Sequence, residues 1–177
     1  MAVTAKKAAR TTAAASPKTG APKRGAALVP AGETRVFHVA LHGRRSIWRD
    51  VELRSEATLS ALAGAALRAF DFSLDHAFGF YPTAGRDMYR TMPRYELFFD
   101  MGEPAEDGVE GVERTEIETA FPEVGKRMVL LFDYGDEWLF DVELTAKGHT
   151  EPRARYPRLL RQGGKAPKQY PGFSDDA

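Results

Sequence analysis

Met128-Val129-Leu130-Leu131-Phe132-Asp133-Tyr134-Gly135-Asp136-Glu137-Trp138-Leu139-Phe140-Asp141-Val142-Glu143-Leu144 is the stretch on which the fold turns. Its first five residues are all apolar, as suits a central strand buried on both faces. Residues 133–137 supply a turn, with Gly135 the natural residue for a positive φ. Trp138, Phe140, Val142 and Leu144 then alternate with Asp141 and Glu143, so one face of the return strand is apolar and the other acidic. The stretch predicts a β-hairpin.

A second hairpin lies near the start of the ordered body. Phe37, Val39 and Leu41 alternate with Val36, His38 and Ala40, and residues 42–46 form a five-residue loop. The chain returns with Trp48, Asp50 and Glu52 on one face and Ile47, Arg49, Val51 and Leu53 on the other. Arg49 is a cation in an apolar row, and its burial calls for a carboxylate partner. Between the hairpins stands the clearest helix. Thr58 is its N-cap, and Leu59, Leu62, Ala63, Ala66, Leu67 and Phe70 form one apolar stripe. Residues 74–81 lead into a short extended run. Tyr95, Leu97 and Phe99 alternate as a further strand, residues 100–114 form an acidic loop, and residues 115–121 form a two-turn helix. These elements predict a single α+β domain: a mainly antiparallel sheet built from β-hairpins, with helices packed on one face.

Composition sets the wider limits. The 177 residues carry 25 Lys plus Arg against 25 Asp plus Glu, and no cysteine, which excludes disulfides, a thiol nucleophile and cysteine-ligated metals. No long apolar run or secretory signal is present, so no membrane role and a cytoplasmic location are expected. The neutral total hides a segregation of charge. Residues 1–32 hold six basic residues and no acid; residues 33–150 hold 13 basic and 22 acidic; residues 151–177 hold six basic and three acidic. Three parts follow: a disordered basic arm (1–32), an α+β body (33–150) and a basic Pro/Gly-rich segment (151–177) wrapping the surface.

The segments Ile47-Trp48-Arg49, Leu74-Asp75-His76-Ala77-Phe78-Gly79-Phe80 and Leu131-Phe132-Asp133-Tyr134-Gly135-Asp136-Glu137-Trp138 occur in that order. With the closing stretch from Tyr156 to Tyr170, which contains Gly163-Gly164-Lys165-Ala166-Pro167, the chain resembles the plasmid pRiA4b ORF-3-like family, also met as insertion-sequence passengers labelled TnpR. The resemblance runs from about Val36 to Phe173. It departs from the family pattern at Arg45-Ser46, where two prolines are usual, at Asp50, where a second arginine is usual, and at Ala77, where leucine is usual. The resemblance implies a fold and a mobile-element context, and no established reaction.

Several residue groups are candidates for function. Trp48, Arg49, His76, Phe78, Tyr134 and Trp138 are candidates for a ligand or partner groove, though the ordinary place of such Trp, Phe and Tyr side chains is the core. Asp133, Asp136 and Glu137 are candidate metal ligands, though such carboxylates also hold turn amides. Lys6, Lys7, Arg10, Lys23, Arg24, Arg153, Arg155 and Arg158 are candidate nucleic-acid contacts, able to neutralise phosphate without reading sequence. Ser46 stands among arginines with no general base, the four histidines lack zinc spacing, and no phosphate loop is complete. The expectation is a non-catalytic binding or accessory domain with no cofactor and no catalytic residues. Its possible partners are nucleic acid, through the arm, and a protein or peptide. The alternatives are a DNA-associated accessory factor and a metal-dependent enzyme.

Overall fold

The two hairpins are the centre of one eight-stranded sheet. A computed structural model describes residues 32–104 and 106–170. The strands are β1 (Glu33–Leu41), β2 (Trp48–Arg54), β3 (Phe78–Tyr81), β4 (Arg94–Glu96), β5 (Val109–Gly111), β6 (Arg127–Phe132), β7 (Trp138–His149) and β8 (Arg158–Gly163). Their order across the sheet is β5-β4-β3-β6-β7-β1-β2-β8, antiparallel except for the β4–β5 pair. The hairpin β6–β7 pairs Phe132 with Trp138, and β1–β2 pairs Ala40 with Trp48. β1 joins the hairpins by pairing with β7 along its whole length, with a bulge between Val36 and Phe37.

Three α-helices are described, α1 (Leu59–Ala69), α2 (Leu97–Asp100) and α3 (Ile117–Ala120), with a 3-10 turn at Met88–Arg90. Thr58 caps α1, its hydroxyl accepting from the Ala61 amide at 3.2 Å. Strand periodicity gives the sheet an apolar and a polar face. On the apolar face Phe37, Val39, Val51, Leu53, Leu130, Phe132, Phe140 and Val142 join Leu59, Leu62, Ala66 and Leu67 of α1 in one buried cluster. On the other face a smaller cluster gathers Tyr81, Met88, Val129 and Leu131. No helix among the described residues is long and apolar enough to cross a membrane.

Three local expectations are corrected. Leu97 and Phe99 lie in α2, not in a strand. The β3–β4 ladder ends at Gly79 and Glu96, and the unpaired chain then curls until the Met101 amide reaches the Leu97 carbonyl at 3.1 Å. The helix expected over 115–121 is the single turn α3, because Thr115 and Ile117 spend backbone groups on Leu59 and Ala57 instead. In the 133–137 turn, positive φ falls at Asp133 (58°) and Glu137 (51°) rather than at Gly135. The segment after 150, expected to wrap the surface, contains the edge strand β8, whose Arg161 and Arg158 meet Asp50 and Glu52 on the polar face.

Candidate functional site

The polar face of β1, β2 and β7 is the least expected surface of the fold. Reading straight across the register, Arg161 of β8 stands beside Asp50 of β2, then His38 of β1, Glu143 of β7 and Arg127 of β6. Across five strands this row places an arginine and a carboxylate on each side of a central histidine. Asp50, only 2% exposed, is held from both sides: His38 Nδ1 lies 2.7 Å from one oxygen and Arg161 Nε donates to the other at 2.9 Å. Arg127 Nε donates to Glu143 at 2.8 Å, and that bond holds the guanidinium pKa above its usual value. A second histidine–carboxylate pair sits at the β1 end, His42 Nδ1 to Asp141 at 2.8 Å, with Arg45 3.8 Å from the other oxygen.

Several of these groups line a cleft of about 690 Å³ between the sheet and the chain at Pro82, Thr83, Ala84 and Gly85, while Asp50 and Arg161 lie outside its lining. His38, His42, Arg45, Arg127, Asp141 and Glu143 face it together with Ala40 and Val129. In both histidines one ring nitrogen is committed to a carboxylate, which orients the ring and leaves Nε2 as its remaining polar atom. Every carboxylate of the cleft is engaged by a cation or a histidine. The arrangement therefore offers fixed hydrogen-bonding groups of both senses over a partly apolar floor.

The cleft residues are absent from the candidates read off the sequence, although the signal is there. His38, Asp50, Asp141 and Glu143 all occupy the polar phase of the strand alternation. What was hidden is that the two hairpins lie side by side and bring those phases onto one surface.

The six groove candidates are divided between places. Trp48 lies on the polar face, its ring 5.2 Å from His38 and 6.0 Å below the Arg161 guanidinium. Phe78 is buried on the apolar face, where Trp138 packs edge-on against Phe72 at 4.9 Å. Tyr134 joins the smaller cluster, its hydroxyl 2.9 Å from that of Tyr81, and burial pushes its pKa up to about 12. His76 lies in the exposed loop before β3, bonded to Asp75 at 3.0 Å. Among the described residues Arg49 pairs with no carboxylate. Its guanidinium donates to the carbonyls of Ala69, Trp48, Gly163 and Gly164 and stacks 4.6 Å from the Phe70 ring. Burial pushes its pKa down, and Asp71 opposes the shift.

Of the metal candidates, Asp133 accepts the Gly135 and Asp136 amides at 2.9 and 3.3 Å, while Asp136 and Glu137 are exposed. Among the described residues no three histidine or carboxylate groups are placed to hold a metal ion. Of the nucleic-acid candidates, Arg158 is paired with Glu52 at 2.6 Å and with Glu151 at 2.7 Å, whereas Arg153 and Arg155 are exposed. Lys6, Lys7, Arg10, Lys23 and Arg24 lie outside the described residues.

The fold and its charged face define a largely antiparallel eight-stranded sheet domain with few helices. The chain belongs to the plasmid pRiA4b ORF-3-like family, whose model matches residues 33–172. The crystal structure of a protein of unknown function from Methanosarcina mazei Go1 is similar, with a TM-score of 0.60 at 15% identity, over 76% of this chain and 71% of that one. At that identity the likeness is one of fold. No curated protein matches the chain.

Proposed function

We propose that the chain is a non-catalytic binding domain that takes a small polar ligand in the cleft on the polar sheet face. In this reading it is one α+β domain with helices on a single face, supported by the buried cluster that α1 shares with the strands. The observation that carries the function is the pair of histidines lining the cleft, each with Nδ1 fixed by a carboxylate. Fixed donors and acceptors of both senses recognise a ligand that is itself mixed, such as a zwitterion or a polyhydroxylated molecule. The ion pairs also favour binding over chemistry. Asp50 and Asp141 are already shared with arginines, and the Thr83 hydroxyl is directed to the Ala84 carbonyl.

The test follows the His38 and His42 ring resonances by NMR while amino acids, nucleosides and sugars are added in turn. The expected outcome is saturable movement of both rings with one compound class, abolished by Asp141→Asn together with His42→Ala. Saturable binding that moves other resonances and leaves both rings still overturns the cleft as the site.

The second reading is a DNA-associated accessory factor in a mobile-element context. It is favoured by the six cations and no acid of residues 1–32. Anisotropy with duplex and single-stranded DNA across a salt series tests it. Binding that falls steeply with salt, and is lost when Lys6, Lys7, Arg10, Lys23 and Arg24 are changed to serine, supports a phosphate-contacting arm. Binding unaffected by those changes removes it.

A further inference from the structure

We propose that the outer edge of β8 is a docking site for an acidic, extended polypeptide segment, which adds to the sheet as a ninth strand. β8 is the last strand of the sheet and pairs only with β2 among the described residues. Its outward backbone groups therefore meet no strand, and six residues are enough to template another. Edge strands are usually blunted by proline, charged side chains, bulges, brevity or a covering segment. β8 reads Arg-Leu-Leu-Arg-Gln-Gly; it has no proline, its ladder with β2 carries one bulge at Asp50/Val51, its two arginines pair with Glu52 and Asp50, and it exposes Leu159 (46%) and Leu160 (41%).

Charge specifies the partner. Residues 151–170 contain six basic residues against one acid, whereas residues 96–118, which hold β5 at the far edge, contain nine acids against one arginine. At the basic edge, Arg158 and Arg161 are committed inward to Glu52 and Asp50. Arg153, Arg155, Lys165 and Lys168, all exposed, flank the strand on both sides and make no ion pair among the described residues. An extended chain with carboxylates finds cations at each end and two leucines between them.

A polypeptide fits better than a nucleic acid, because the site combines free backbone groups and apolar anchors with charge. The acidic edge of a second copy is a poor occupant. There the Val112 and Gly111 carbonyls are taken by the Ser60 and Thr115 amides, and the Glu113 amide is taken by Asp100. Those three groups are not available to a further strand.

Hydrogen exchange of the full chain tests the site, using a short synthetic peptide that alternates glutamate and valine. The expected result is slowed exchange of β8 amides with the peptide. Affinity should fall by about tenfold or more when alternate peptide amides are N-methylated, and by a similar factor in Arg155→Glu/Lys168→Glu. Equal binding of the N-methylated peptide, or binding with no protection of β8, overturns the proposal. So does protection of β8 by duplex DNA in place of the peptide, or by self-association without it.

Discussion

Arg49 shows how one side chain can hold three segments. Its five N–H donors form a rigid fork, and the carbonyls they meet come from the end of α1, from β2 itself and from the last residue of β8 and the one after it. A lysine has the charge but not the fork. Arg49→Lys is expected to cost about 2 kcal/mol, because buried carbonyls are left without donors; urea denaturation reads this directly. Trp138 makes a different contribution. It is half-buried, packs on Phe72, and its indole N–H has no partner among the described residues. Trp138→Ala is expected to cost about 2–3 kcal/mol through lost packing. Trp138→Phe, which removes the unpartnered donor, is expected to stay within about 1 kcal/mol of wild type.

At the scale of elements, the segment after β8 is fastened to the loop after α1 at two points. Arg49 holds Gly163 and Gly164, and the Gln169 amide exchanges hydrogen bonds with the Ser73 backbone at 2.7 and 3.1 Å. Around the second point lie Asp75, His76, Tyr170 and Asp133, whose oxygen is 3.7 Å from His76 Nδ1. The Asp75 hydrogen bond raises the His76 pKa, aided by Asp133 and Asp136 against partial burial. Burial pushes Asp75 up, but hydrogen bonds from His76 and Tyr170 outweigh it and hold the carboxyl below its usual value. A raised histidine contributes below its ordinary value of 6.5 and loses that contribution as pH rises through the folded value. A depressed carboxyl contributes above its ordinary value of 3.8 and loses it as pH falls. The clasp is therefore tightest between those two values. Amide exchange over residues 164–170, corrected for intrinsic rate, should be slowest in that window. His76→Gln should flatten the alkaline limb and Asp75→Asn the acid limb.

The whole molecule is electrically polar although its net charge is zero. The acidic segment and the basic segment occupy opposite edges of one sheet. At low ionic strength and neutral pH the protein is expected to be retained by both anion- and cation-exchange matrices. Salt should release it from both, since exposed charges are screened within about 10 Å at 0.1 M. A version with the 1–32 cations neutralised should still bind the cation exchanger; passage without retention would place the basic pole in the arm alone.

Local pattern alone was enough to specify both hairpins, the Thr58-capped helix and the apolar face, because those features depend on contacts between near neighbours. The family resemblance was also legible, carried by short motifs around Trp48, His76 and the 133–138 turn. Other features depend on pairings distant in sequence. β8 finds β2 across more than a hundred residues because buried Asp50 and Glu52 require Arg161 and Arg158. Leu97 and Phe99 have strand periodicity, yet no ladder remains for them beyond Glu96. The cleft exists only because β1 lies against β7, which sets His38 between Asp50 and Glu143. Sequence determined which residues would be polar on each strand; tertiary pairing decided which of those residues would meet.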